Sequence, residues 1–256
     1  MPLCQNKMTY GYVPLSVGAG LWGGYSEYML LKGNTVVHKL PEHLSIEDAV
    51  LFNPLGAGFE WVVEQGGTGI GDSVLISGPG QRGLAGVIAA VLAGASRIVV
   101  TGLKQDQHKL EIAKSLGASE TVVVDPENPQ CLQEALAGER FDRVVDVTPF
   151  ATQPVNDAIN LVRPGGTIVL GGLKGLARKM ELIPDYIVLN GINIKGARGV
   201  TTRSYTQAVR AVVSGVYDFT TWHTHTMRLQ DAETAIRILA GEVKQDVEPL
   251  HITIVP

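Results

Sequence analysis

The run "SVLISGPGQRGLAGVIAA", residues 73–90, constrains the fold of this chain more than any other. Five apolar or small residues are followed by glycines at 78, 80 and 83, then by Leu84, Val87, Ile88, Val91 and Leu92 at helical spacing. A strand, a tight turn and a helix satisfy that order. Gly78 lets the chain turn sharply. Gly80 lacks a Cβ, so backbone N–H groups can approach a pyrophosphate, and Gly83 lets the helix lie close to the strand. Pro79, Gln81 and Arg82 complete the loop. The unpaired N–H groups and partial positive charge of the helix start favour an anion there. The motif alone is weak; its position between strand and helix identifies residues 78–83 as a dinucleotide loop.

The alternation continues. Strands are predicted at "RIVVT" (97–101), "TVVVD" (121–125), "RVVDV" (143–147), "TIVLGGL" (167–173) and "INIKGA" (192–197). Helices are predicted around Leu110, Ala113 and Leu116, near 129–137, and around Val155, Ala158, Ile159 and Val162, the last stopped by Pro164-Gly165-Gly166. Valine- and isoleucine-rich strands without polar alternation belong to a parallel sheet covered on both faces. The fold class is therefore α/β, a doubly wound parallel-sheet Rossmann domain. Outside it, "GYSEYMLL" and "TVVHKL" read as short β-like runs. Two amphipathic helices, around 205–213 and 232–240, and a last strand, "HITIV", follow.

Composition narrows the function. Charged residues are 18% of 256 and the net charge is −4, without any lysine- or arginine-rich run, so neither nucleic acid nor a membrane is the expected partner. Two cysteines, Cys4 and Cys131, cannot form a disulfide framework. The N-terminus has no secretory signal pattern and the longest apolar stretch is too short for a bilayer, so a cytoplasmic protein with a small-molecule substrate is expected.

An NAD site usually carries Asp or Glu at the end of the second strand, on the ribose 2′-hydroxyl. Here that strand ends at Gly102, with Lys104, His108 and Lys109 following. Glycine leaves room for a 2′-phosphate and the lysines would neutralise it, so NADP is preferred over NAD. Asp106 is the residue that would restore NAD binding by swinging in.

Together "GGYSEYMLL", "VVHKLPEHLSIEDAVLFNPLGAG", the glycine loop, "HKLEIAKSLGA", "LVRPGGTIVLGGL", "IKGARG" and "THTMRLQDAETAIRILAGE" occur in an order that resembles the medium-chain dehydrogenase/reductases, the zinc-containing alcohol dehydrogenase superfamily. The resemblance runs from about residue 20 onward. It implies a dinucleotide-binding domain over 55–199, with 1–54 and 200–256 as parts of a β-rich GroES-like catalytic domain that lacks much of its N-terminal portion. By the same correspondence Thr148 and Pro149 approach the cofactor ribose. Gly172, Leu173, Ala197 and Arg198 lie beside the nicotinamide, and Arg82 or Arg198 meets a phosphate. Cys4 matches the last of four structural-zinc cysteines, and one cysteine cannot hold zinc. Asn53 stands in "NPL" where some members have Glu-Pro-Leu. An amide is a poor zinc ligand, so Asn53 is either a pocket hydrogen-bond donor or a turn residue. No metal-ligating residues are assigned and zinc is not expected.

The resemblance implies an NAD(P)-dependent oxidoreductase of alcohol dehydrogenase type, moving hydride between nicotinamide and an alcohol or carbonyl, without an intact zinc site. Two readings stand beside it: a zinc-free reductase like the quinone oxidoreductases, and a dinucleotide-binding module without catalysis. His223 and His225 would share a metal only if extended and joined by a third ligand. A homo-oligomer paired through the sixth-strand edge is expected.

Overall fold

The computed structural model describes residues 9–256, and the expectation for Cys4 lies outside the described residues. Those residues form two compact units, 53–208, and 209–256 with the residues up to 52. In chain order, a short turn of 3-10 helix at Tyr10–Tyr12 leads to α1 (Ile46–Ala49). Ser45 starts α1 in an extended conformation, and its hydroxyl accepts the Asp48 N–H at 3.0 Å. Next comes α2 (Phe52–Gly58), which continues as a π-helical segment, Phe59–Gln65.

The larger unit then alternates as the sequence predicts. β1 (Ser73–Ser77), α3 (Gln81–Ala93), β2 (Arg97–Leu103), α4 (Gln107–Ser115), β3 (Glu120–Val124) and α5 (Cys131–Ala135) make its first half. β4 (Phe141–Asp146), α6 (Gln153–Leu161), β5 (Val162–Leu170), α7 (Pro184–Asn190) and β6 (Asn193–Gly196) make the second. The strands pair in parallel in the order β3-β2-β1-β4-β5-β6, the dinucleotide-binding arrangement with its direction reversing between β1 and β4. Register pairs Ile76 with Val100 on one side and with Val145 on the other. The side chains of Leu75, Val99, Val144 and Ile168 are wholly buried in the core. Truncating Leu75 or Ile168 to alanine costs about 2–5 kcal/mol.

At the N-terminal edge of the sheet Asp142 ties β4 to β1. Its carboxylate accepts the Ser73 N–H at 2.8 Å and the Ser73 hydroxyl at 2.7 Å, and pairs with Arg163 at 2.5 Å. Burial pushes this carboxyl up, but the Ser73 bonds and the Arg163 guanidinium outweigh it and hold it at about 2.

Two local expectations are corrected. Val162 does not close α6; it opens β5, paired with Phe141, and Pro164-Gly165-Gly166 lies inside the strand. Residues 24–40, read as β-like, form no strand, and Val36 and Val37 are exposed. A β-branched run without a partner strand has no ladder to join.

Past β6 the chain forms α8 (Thr202–Val213), which leaves the larger unit after Ala208. In the smaller unit β7 (His225–Arg228), α9 (Ala232–Leu239) and β8 (Ile252–Val255) follow, and β7 pairs in parallel with β8.

Candidate functional site

A cleft of about 610 Å³ opens at the C-terminal ends of the parallel strands, where the order reverses. Ligands of open α/β sheets bind in that place. Gly78, Pro79, Gly80, Gln81, Arg82 and Gly83 form one wall. Gly78 sits at φ +103°, which a residue with a Cβ rarely adopts. A Cβ on Gly83 would lie 1.8 Å from the Gly78 carbonyl oxygen, so only glycine lets α3 start this close to β1. A Cβ on Gly80 would meet nothing within 4 Å. No side chain caps α3 and its first turn carries no acid. Its first N–H groups therefore remain available to an anion.

Arg82 reaches from this loop over Trp61, 5.5 Å from the ring centroid. Asn53, at the start of the unit, lines the same cleft and donates from Nδ2 to the Tyr205 hydroxyl at 3.2 Å. Burial raises the Tyr205 phenol above its ordinary value, against the Asn53 bond and the Arg82 charge. Glu60, 2% exposed, anchors the start of α8, which carries Tyr205. Its carboxylate accepts from Thr201 N (3.0 Å), Thr201 Oγ1 (2.7 Å), Ser204 Oγ (2.7 Å) and Gln65 Nε2 (3.0 Å). Burial alone would raise this carboxyl; the Gln65, Thr201 and Ser204 bonds carry it below the ordinary value instead.

The opposite end of the cleft is lined by Thr101, Gly102, Leu103, Gln105, Asp106 and Lys109. Gly102 lines the cleft as expected, and its lack of a side chain is also demanded by packing. A Cβ there would lie 2.8 Å from Pro79 Cγ and 3.2 Å from Leu110 Cδ2. Gly102 is required by the packing of the glycine loop on β2. The carboxylate of this wall belongs to Asp106, which accepts the Leu103 N–H at 3.1 Å and pairs with Lys109 at 2.9 Å. Lys104 is exposed and does not line the cleft.

Thr148 and Pro149, after β4, line the cleft as well. Gly172 packs against the Thr148 carbonyl just behind that wall. Leu173 is 86% exposed, and Arg198 is exposed beyond β6; neither is among the lining residues. Sequence reasoning missed Trp61, Glu60, Lys174 and Tyr205, whose partners are remote in the chain.

No group of three or more His, Cys, Asp or Glu side chains able to hold a metal occurs among the described residues. Asn53 is engaged with Tyr205. His223 lies just before β7 and His225 opens it, and no third ligand joins them among the described residues. His223 packs edge-on against His251 at 5.9 Å and bonds to Thr226 and Thr253. These residues do not fit a zinc site. Among the described residues no helix is long and apolar enough to cross a membrane.

Comparison with known proteins agrees with the glycine loop and its sheet. The sequence model of the zinc-binding dehydrogenase family matches residues 83–214. The chain is 39% identical over 249 residues to "Probable alcohol dehydrogenase adh" of Mycobacterium tuberculosis, spanning 96% of this chain and 68% of that protein. Among solved structures, an alcohol dehydrogenase of Thermotoga maritima superposes with a TM-score of 0.84 at 22% identity, over all of this chain and 70% of that one. A zinc-binding dehydrogenase of Sinorhizobium meliloti 1021, solved with NADP, gives 0.73 at 23% identity, over 86% of this chain and 62% of its own length. At such identities the structural likeness speaks for the fold.

Proposed function

The chain belongs to the zinc-binding dehydrogenase family of medium-chain dehydrogenase/reductases, and from that premise we propose that it binds a nicotinamide dinucleotide and acts as an alcohol dehydrogenase-type oxidoreductase. One observation carries the reading: the glycine loop and the uncapped, acid-free start of α3 line a cleft at the reversal point of the sheet. A diphosphate fits that cradle, because no side chain fills it and unpaired N–H groups edge it.

When bound, the nicotinamide gives or takes a hydride at the carbon of an alcohol or carbonyl substrate. The chain's own residues would do the holding. The loop and first α3 amides take the diphosphate, and Arg82, steadied on Trp61, offers its guanidinium to a phosphate oxygen. Thr148 and Pro149 form the wall along the nicotinamide half. Asn53 is held by Tyr205 through one amide hydrogen. Its second hydrogen is the donor we assign to a substrate carbonyl. Since the described residues do not fit zinc, no step is assigned to a metal.

NADP is the preferred coenzyme in this reading, supported by Gly102 in place of a carboxylate and by the Lys109 ammonium in the cleft wall. Asp106 in the same wall favours the second reading, NAD. Titration with NADPH and NADH, followed by quenching of tryptophan emission, tests the whole: saturable binding of at least one is expected, and binding of neither refutes it. Self-association through β6 is part of the proposal. That strand is one of the two edges of the sheet, and the neighbouring Val188 and Leu189 are exposed. Light scattering that shows only monomer would remove that part.

A further inference from the structure

Asp146 ends β4 with a fully buried carboxylate. A buried charge must be paired and hydrogen-bonded. Its Oδ1 accepts the Thr148 N–H at 3.0 Å and the Thr148 hydroxyl at 2.6 Å. Its Oδ2 lies 2.7 Å from the ammonium of Lys174, whose side chain is 16% exposed. The same ammonium donates to the Thr148 carbonyl at 2.5 Å and to Thr148 Oγ1 at 2.7 Å. The ammonium thus spends two of its three donors on Thr148, and it sits beside Asp146 Oδ2 as an ion pair without hydrogen-bond geometry.

Both donors of Thr148 are consequently spent. Its N–H, carbonyl and hydroxyl are all engaged by Asp146 and Lys174. What it turns toward the glycine loop is its methyl, 3.0 Å from where a Cβ on Gly78 would stand. It gives the cleft shape rather than hydrogen-bond donors. Phe150, two residues on, is held at φ +63°, a conformation that costs about 1–3 kcal/mol. Its N–H bonds the Leu173 carbonyl at 3.0 Å, one residue before Lys174. The β4 and β5 strands are joined separately, by Gly171 and Gly172 N–H groups on the Asp146 carbonyl at 2.9 and 3.1 Å. Removing the ammonium would therefore spare the sheet but loosen the Thr148-Pro149 wall, which would then hang on Asp146 Oδ1 alone, a carboxylate left buried without its counter-charge.

Resting on the dinucleotide reading above, we propose that Lys174 is a positioning residue for the coenzyme. By neutralising Asp146 and clamping Thr148, it holds the wall against which the nicotinamide half of the dinucleotide packs. It does not line the cleft and acts through Thr148.

The test separates the two halves of the coenzyme. ADP engages only the glycine loop and the β2 end; NADPH and NADH also need the Thr148 wall. Affinities for ADP, NADPH and NADH are measured by calorimetry in the wild type, in Lys174→Met, and in the Asp146→Asn/Lys174→Met pair, which removes both charges together. If Lys174→Met does not fold, the double variant carries the comparison. In the folded variant ADP should bind within about twofold of wild type. The better-bound dinucleotide should weaken about tenfold or more, as expected when the competent wall falls to a tenth of the population. Unchanged dinucleotide affinity, or a parallel loss of ADP affinity, overturns the inference alone. A wild type that binds none of the three overturns the dinucleotide reading and the inference with it.

Discussion

Replacing His251 with leucine should remove an acid sensitivity built into the smaller unit. His251 is 8% exposed, directly before β8, and its Nδ1 is buried without a hydrogen-bond partner. Its backbone is fixed by Thr224, whose N–H and hydroxyl reach the His251 carbonyl at 3.0 and 2.8 Å. Burial, and secondly the His223 ring beside it, pull its pKa from 6.5 to about 4. Above pH 6.5 the ring is neutral in both the folded and the unfolded chain, and stability has no dependence on it. Between 6.5 and about 4 the unfolded chain carries a proton that the folded chain refuses. Stability then falls by about 1.4 kcal/mol for each unit of acidification, about 3 kcal/mol over the window. Below about 4 both states are protonated and the dependence ends.

The assay is urea unfolding at pH 7.5, 6.5, 5.5 and 4.5 in a Trp61→Phe background. The emission then comes from Trp22 and Trp222, the latter buried against Phe219 at 5.7 Å in the same unit as His251. Leucine keeps the buried volume nearly constant and cannot titrate. His223 is also lowered, chiefly by burial with Glu47 opposing, and it is present in both proteins, so its own slope cancels in the difference. His251→Leu should gain on the wild type at about 1.4 kcal/mol per pH unit below 6.5 and run parallel above it. Curves parallel throughout would refute the argument, because they would mean the buried ring accepts its proton as readily as a solvated one.

Gly83→Ala should abolish dinucleotide binding in titration, because its Cβ would overlap the Gly78 carbonyl at 1.8 Å and force α3 off β1; retained affinity would show that the loop is not the cradle. Asp106→Asn should shift preference toward NADPH and Lys109→Met toward NADH, each by about 1 kcal/mol or more, the order of a single partly buried charge contact, in paired Kd measurements; shifts of the same sign would detach this wall from the ribose. Glu60→Gln should lower the unfolding free energy by about 2 kcal/mol, since the Thr201 N–H would face an amide donor at one of its two orientations or the Gln65 amide at the other; an unchanged urea midpoint would remove Glu60 as the anchor of α8.

The sheet was legible because each strand is a contiguous run such as "SVLIS" or "RIVVT", and such runs state their burial by composition alone. Where the same residue suits two states, composition fails. Val162 continues the helical spacing of Val155, Ala158 and Ile159, yet it is also β-branched, and its pairing with Phe141 decides for the strand. In "TVVHKL" the local preference is for a strand, but a strand exists only with a partner, and the run has none. Both errors are of one kind: a periodicity read along the chain cannot report a bond made across it.

The candidate site divides along the same line. The glycine loop is a local device, three glycines within six residues, so its geometry is written where it acts. Gly102 shows how narrow that legibility is. The glycine was visible, but its reason, the nearness of Pro79 from the preceding turn, was not. The groups that support the cleft are non-local. Asn53 meets Tyr205 across 152 positions, Glu60 meets Thr201 across 141, and Lys174 reaches Thr148 across 26. Each pairs ordinary residue types with no spacing rule, because the parallel sheet and its crossovers bring them together. The loop proposed to meet the dinucleotide is therefore readable one stretch at a time. The elements around it are held by buried charges such as Asp146, on Thr148, and Glu60, at the start of α8, whose partners are supplied only by the fold.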